Sequence, residues 1–263
     1  LHLSLRRQRQ MCIRDRYRET VAKTVIGYGH YEPLRHYAEV VLEIAPAERN
    51  SGITFDSTVH IDVLSANYQA LVKTHIFEKQ HKGILTGSPL TDVKITLING
   101  RAHLKHTEGG DFRQATYRAI RQGLERAENV ILEPFYAFEI YAGEEYAGRI
   151  MTDIQRLRGS FEPPVQMGNT YKIKGRGPVE TFMDYQEELL SFTKGTGSIV
   201  MTVDGYEKCE IADEVIEKIN YNKGEDKENT SCSVFCSHGA GFTVNWDAVS
   251  YTHLRAHETL SDL

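Results

Sequence analysis

From Phe135 to Val203 the chain switches between two hydrophobic rhythms in a fixed order, and that order leaves few folds open. Phe135–Tyr141 alternates as a strand. Glu144–Leu157 carries Tyr146, Ile150, Ile154 and Leu157 on one helical stripe and stops at Gly159. Strands are predicted near Ser160–Gln166 and Thr170–Gly175, joined by Met167-Gly168-Asn169. A second helix is predicted over Val179–Thr193, with Phe182, Tyr185, Leu189 and Phe192 inward and a stop at Lys194-Gly195. Ser198–Val203 closes the series as a strand. Strand-helix-strand-strand-helix-strand is the split βαβ, or ferredoxin-like, plan.

The preceding stretch mixes strands and helices in a different order. Ala38–Ala45 reads as a strand closed by Pro46, and an extended stretch near Ile53–Val63 follows the Asn50-Ser51-Gly52 loop. Ser65 is a good N-cap for a helix running to Lys82, with Tyr68, Leu71, Val72, His75 and Ile76 on one face. Gly87-Ser88-Pro89 marks a turn, Asp92–Ile98 alternates as a half-buried strand, and Asn99-Gly100 reads as a tight turn. His106–Asp111 is a glycine-bearing loop. Asp111 or Gly110 is expected to cap a helix reaching Glu128, with Phe112, Ala115, Ala119 and Leu124 inward. Leu132-Glu133-Pro134 punctuates the chain, and a domain boundary is placed there, with 17–131 before it and 132–206 after it. Residues 207–248 form a C-terminal extension: an acidic helix over Glu207–Lys218, a charged loop, and a short apolar hairpin around Gly239 and Gly241 that packs back on one of the domains.

Residues 1–16 and 249–263 differ in composition from the rest. Met11–Arg16 back-translates to a transposase-type sequencing adapter, and Val249–Leu263 resembles its complement. Both are read as adapter-derived tails and set aside. The whole chain has 31 Lys and Arg against 36 Asp and Glu, a formal charge of -5. The tails hold six of those bases and three of those acids, so 17–248 is more acidic still. That excludes a polybasic nucleic-acid binder and confines any RNA contact to one face. No apolar run approaches the roughly 18 residues of a membrane span. Four cysteines in 263 residues are no disulfide framework and point to a reducing, cytosolic setting. A monomer with neither membrane nor DNA as a partner is expected.

The chemistry-bearing motifs are sparse. No GxxxxGK[ST], GxSxG or GxGxxG occurs, and Gly27-Tyr28-Gly29 is too short a match for a nucleotide fingerprint. Thr193-Lys194-Gly195-Thr196-Gly197 follows a helix and reads as a helix stop. Cys232, Cys236 and His238 form C-x3-C-x-H, with Cys209 as a possible fourth zinc ligand, but the spacing misses the usual CxxC knuckle. A reduced, partly buried cysteine pair is the ordinary reading, and a small Cys/His metal or redox protein is the alternative from another class. His30, His36, His103 and His106 lie in or beside two loops of the first domain. RNA contact is the preferred reading: Tyr28, His30 and Tyr31 offer stacking surfaces, and Lys105, Arg113 and Arg118 offer phosphate contacts.

The residues also carry a family resemblance. Tyr17-Arg18-Glu19-Thr20 opens as the fourth domain of elongation factor G opens, and Gly83–Leu97 (GILTGSPLTDVKITL) is similar to that factor's GPLAGYPVVDVKV-type segment. Leu132-Glu133-Pro134 matches the junction into its fifth domain, and Tyr185–Gly195 matches that domain's second helix and its stop. Leu132–Tyr146 and Gly110-Asp111-Phe112-Arg113 look closer to the tetracycline-resistance ribosomal protection proteins, a branch of the same translational GTPases. The resemblance covers 17–206. It implies an α+β chain, with a fourth-domain-like αβ unit followed by the ferredoxin-like unit and the extension.

It further implies ribosome binding through tip loops at small-subunit RNA near the decoding region. Carried over by position, the tip is Gly27, Tyr28, Gly29, His30 and Tyr31 together with His106, Thr107, Glu108, Gly109, Gly110 and Asp111. Where the protection proteins carry a proline-bearing YSPVSTPADFR, this chain has Leu104–Arg113, LKHTEGGDFR, and its glycine pair predicts a looser loop. The resemblance places GTP and Mg in an N-terminal domain that this stretch does not contain, so neither a cofactor nor a catalytic residue is expected in this chain. A paralogue acting in translocation or ribosome rescue is the alternative within translation.

Overall fold

A computed structural model describes residues 17–33 and 35–226, and the backbone of two further short strands at Val234–Cys236 and Thr243–Val244. The chain divides into two compact units. One is made of the residues up to Val130 together with those from Ile211 onward, and the other is Ile131–Glu210.

The first unit begins with β1 (Arg18–Val21), β2 (Val25–Glu32), β3 (Ala38–Pro46) and β4 (Ile53–Ser57), followed by α1 (Ala66–Phe77), β5 (Val93–Ala102) and α2 (Gly109–Arg126). β2 runs antiparallel to β3, β3 antiparallel to β5, and β5 parallel to β4. Leu42, Ile44, Ile95 and Leu97 meet Val72 and Ile76 of α1 and Phe112, Ala115, Ala119 and Leu124 of α2 in one core. Each large side chain buried there contributes about 1.5–3 kcal/mol. Asn99 and Gly100 are not a turn. They lie inside β5, where Ile98 falls between the Val41–Asn99 and Leu42–Leu97 pairs as a bulge.

The two stretches that most resembled the fourth-domain sequence turn out to be coupled. The buried Glu19 carboxylate accepts the backbone N–H groups of Leu85 and Thr86 at 2.9 and 2.8 Å and the Thr86 hydroxyl at 2.7 Å. One carboxylate of β1 therefore holds the turn over residues 83–90 in shape.

The second unit carries most of β6 (Asn129–Gly143), then α3 (Glu144–Arg156), β7 (Ser160–Phe161), β8 (Val165–Met167), β9 (Thr170–Pro178), α4 (Val179–Phe182), α5 (Tyr185–Phe192) and β10 (Ser198–Lys208). β10 pairs β6, β6 pairs β9, and β7 and β8 both pair β9, all antiparallel. This is the ferredoxin-like arrangement, with Phe138, Ile140, Ile150, Ile154, Ile173, Phe182 and Leu189 between sheet and helices.

Three details differ from expectation. Pro163-Pro164 removes two ladder donors and splits the strand expected over Ser160–Gln166. The expected helix over 179–193 breaks at Met183-Asp184, where Asp184 leaves helical geometry at ψ 0°. β10 also runs past the boundary drawn after residue 206. A bulge at Asp204-Gly205, with Gly205 at φ +79°, lets Tyr206, Glu207 and Lys208 resume pairing with Pro134, Glu133 and Leu132. The acidic helix α6 consequently starts later, at Ala212, and ends at Ile219.

Two strands of the extension, β11 (Val234–Cys236) and β12 (Thr243–Val244), pair antiparallel with each other, and β11 lies parallel to β2. The first unit's sheet order is thus β12-β11-β2-β3-β5-β4. No helix among the described residues is long and apolar enough to cross a membrane.

Candidate functional site

At one end of the first unit, the β5–α2 connection meets the β2–β3 connection. Residues 103–107 fold on themselves: the N–H groups of His106 and Thr107 donate to the His103 carbonyl at 3.2 and 3.0 Å, and the His103 N–H donates to the Thr107 hydroxyl at 2.7 Å. Tyr37 clamps this turn from the other connection. Its N–H donates to the His106 carbonyl at 3.0 Å, and its own carbonyl accepts the Thr107 hydroxyl at 2.6 Å.

The aromatic rings follow the same path. His103 and His106 stack at 4.5 Å between centroids, Tyr37 meets His103 edge-on at 6.5 Å, and the buried His30 meets Tyr37 edge-on at 5.3 Å. Both inner members of this row are anchored below. The Tyr37 hydroxyl donates to Glu39 at 3.2 Å, and His30 Nε2 lies 2.9 Å from Glu32. At the apex, Leu104 is fully exposed next to the exposed Lys105.

The helix that follows is capped differently from expectation. Glu108 is the N-cap, and Asp111 in the third helical position accepts the Glu108 N–H at 2.8 Å. Asp111 is 3% exposed and also meets His36 Nδ1 at 3.0 Å, tying the helix start to the β2–β3 connection. Gly109 and Gly110 are the first two residues of α2 and do not belong to the loop. The looser loop inferred from this pair is therefore not what forms. The turn is fixed by Tyr37, Thr107 and Asp111.

Gly27, Tyr28, Gly29, His30 and Tyr31 also differ from expectation, because they are no loop. They form the middle and end of β2, paired with β3 from Gly27–Leu42 to Tyr31–Ala38. Gly27 and Gly29 let α2 approach the sheet: a Cβ would stand 2.0 Å from the Ala119 carbonyl oxygen at Gly27 and 1.9 Å from that of Ala115 at Gly29. The Tyr28 N–H donates to the Gln122 side chain at 3.0 Å. From this segment, His30 reaches the ring row at the tip.

The three cations assigned to phosphate contact are not brought together at the loop. Lys105 stands at the apex, and Arg118 lies 5.6 Å from the Tyr31 ring. Arg113 turns to α1 and holds Glu78 with two hydrogen bonds of 2.8 and 3.1 Å. The Tyr117 hydroxyl donates to the same carboxylate, and His75 lies 3.2 Å from it. Burial opposes ionisation of Glu78, but the hydrogen bonds from Tyr117 and Arg113, with His75 close by, outweigh it and hold the carboxyl at about 2. Arg113 is thus part of the helix-to-helix lock.

Tyr37 and Leu104 had escaped notice in the sequence. Leu104 could have been found as a lone apolar residue in a polar loop; Tyr37 announces itself only through its backbone contacts. The cysteine–histidine motif lies outside the described side chains: Cys232 and His238 are not described, and of Cys236 only the backbone is, in β11. Cys209 is a buried cysteine just after β10, in the other unit.

The arrangement is a hydrogen-bonded turn with two stacked imidazoles, an exposed leucine and an exposed lysine. Such a surface suits unstacked bases and backbone phosphate.

Comparisons with known proteins bear on the family and fold of both units. The model of elongation factor G domain IV matches residues 15–128, and that of the elongation factor G C-terminus matches 130–225. The tetracycline resistance protein TetP of Clostridium perfringens is 31% identical over 173 residues, which is 66% of this chain and 26% of TetP. A crystal structure of a protein from Thermus thermophilus superimposes with a TM-score of 0.70 and 26% identity, covering 78% of this chain and 32% of that one. The chain therefore spans about a quarter of the length of the curated relative and about a third of that of the solved one.

Proposed function

This chain belongs to the elongation factor G family, and from that premise we propose that it is the ribosome-engaging part of a translational GTPase of the tetracycline-protection type. The observation that carries the reading is the tip: a turn over 103–107 clamped by Tyr37, with Leu104 and Lys105 presented at its apex. Lys105 positions the loop on phosphate, while Leu104, His103 and His106 approach bases near the small-subunit decoding region. A fixed protrusion loses little entropy on insertion, so shape carries much of the binding. GTP and Mg would belong to an N-terminal domain of the intact protein, which works in the cytoplasm as a monomer.

The test is co-sedimentation of the chain with ribosomes. Leu104→Ala combined with Lys105→Ala is expected to reduce the pelleted fraction at least fivefold, with folding intact by circular dichroism. Pelleting equal to that of the unmodified chain would remove the tip from the binding surface. In the protection reading, bound chain also lowers tetracycline occupancy of the ribosome. Unchanged occupancy, with pelleting retained, favours the translocation or rescue paralogue.

A further inference from the structure

Residues after α6 have no part in the tip as described so far, yet they meet the rest of the first unit in two places. α6 ends at Ile219, and Asn220 turns the chain away at φ +46°. Tyr221 then lays its ring on Gly87, where a Cβ would stand 2.6 Å from the ring. The Tyr221 hydroxyl donates to Asp226 at 3.0 Å, and Asp226 meets Lys82 at 2.9 Å. Lys82 bridges Pro89 across the base of the turn that Glu19 holds. The first contact is therefore a fastening to a firmly held segment.

The second contact is made by backbone. β11 lies parallel to β2, with Val234, Phe235 and Cys236 opposite His30, Tyr31 and Glu32. Those are the last three residues of β2, just before the connection from which Tyr37 clamps the 103–107 turn. The side of β2 turned away from β3 would otherwise present a row of open backbone groups. On that side Gln122 takes the Tyr28 N–H at 3.0 Å. Strand residues alternate, so His30 and Glu32 turn their backbone groups the same way, toward the Phe235 backbone of β11. His30 and Glu32 also share a face as neighbours two apart, which lets His30 Nε2 lie 2.9 Å from Glu32. That contact requires 30–32 to stay extended, and it sets the ring that meets Tyr37 edge-on at 5.3 Å.

We propose that the C-terminal extension is a positioning strap for the tip. Fastened at Lys82 and Gly87, it pairs β11 with the end of β2, keeps His30 and Glu32 extended, and so holds Tyr37 and the 103–107 turn in shape. Its consequence for RNA binding rests on the reading of that turn as the ribosome contact. The mechanical coupling does not.

The test is amide hydrogen exchange of the full chain, run beside ribosome co-sedimentation. Phe235→Pro removes the N–H that faces β2. It is expected to speed exchange at least tenfold at 30–32 and at the amides of Tyr37, His103, His106 and Thr107, with Ile95 and Leu97 of the core still protected. The pelleted fraction should fall several-fold. No rise at the four tip amides overturns the strap. Faster exchange there with pelleting unchanged supports the strap and contradicts the turn as the ribosome contact, so the two failures are distinct. A second measurement needs no variant. In native-state exchange of the unmodified chain at low denaturant, 30–32, 234–236 and the tip amides should open together along one isotherm. Tip amides that stay closed after 234–236 have opened overturn the proposal.

Discussion

The Thr107 hydroxyl donates to the Tyr37 carbonyl at 2.6 Å, across 70 residues of sequence, and joins the two connections that make up the tip. The same hydroxyl receives the His103 N–H, so one side chain closes the turn internally and docks it externally. Thr107→Val keeps the shape and removes both bonds. The expected result is a loss of about 1–2 kcal/mol, with faster amide exchange confined to residues 103–107. Ribosome pelleting should fall with it. Unchanged exchange would mean that the Tyr37 N–H bond to His106 suffices.

Gly29 tests the identity of the strand beneath α2. A Cβ there would stand 1.9 Å from the Ala115 carbonyl oxygen, and the obstacle is backbone that cannot swing aside. Gly29→Ala is expected to cost about 3 kcal/mol or more in urea unfolding. A flexible loop at 27–31 would tolerate the same change.

Glu19 organises the segment over 83–90 through three hydrogen bonds. Glu19→Ala leaves the N–H groups of Leu85 and Thr86 without this acceptor and is expected to cost about 3 kcal/mol or more, measured as a shift in denaturation midpoint at constant slope. Glu19→Gln keeps one acceptor oxygen and should recover part of that loss.

In the second unit, Arg158 meets the buried Glu133 in a two-pronged ion pair of 3.0 and 3.2 Å. Arg158→Met strands a carboxylate that is 1% exposed and is expected to cost about 3–5 kcal/mol. The double change Arg158→Met with Glu133→Leu should recover most of that stability, since no charge is then left buried alone. Equal losses in the single and double variants would contradict this.

His81 gives the first unit a pH-dependent stability. Burial, opposed by its hydrogen bond to Ile76 and reinforced by the charge of Lys79, lowers its pKa from 6.5 to about 4. The unfolded chain binds this proton at higher pH than the folded one. The contribution is therefore fully present above 6.5 and is lost as pH falls toward 4, by up to about 1.4 kcal/mol per pH unit and roughly 3 kcal/mol in all. His81→Gln should flatten that part of the stability–pH curve. Glu78 acts at lower pH: its carboxyl, held at about 2 against a usual 4.5, loses its contribution as pH falls through that interval.

The sequence made the second unit largely readable, because each element there carries a complete local signal. Its helices show one apolar stripe, and its hairpin has a glycine at the turn. The exceptions have local causes that outweigh periodicity, such as Pro163-Pro164 breaking a strand and Gly205 letting β10 run on through a bulge. In the first unit, the inward face of α2 was legible, but the role of Gly27 and Gly29 was not. A glycine's sequence context does not say whether it serves a turn or the close approach of a distant helix. The cap at Glu108 was not legible because Asp111 is the commoner cap type; from the third helical position Asp111 instead accepts the Glu108 N–H and meets the distant His36. Arg113 looked available for phosphate because its partner Glu78 lies 35 residues away. Long-range ion pairs leave no trace in local pattern.

The central claim is that the loop over 103–107 touches small-subunit RNA. The most direct measurement is chemical probing of ribosomal RNA with and without the chain, alongside the Leu104→Ala, Lys105→Ala variant. The account predicts protection of nucleotides near the decoding region by the unmodified chain and its loss with the variant. The same protection from both proteins, or protection only at sites distant from the decoding region, would contradict it.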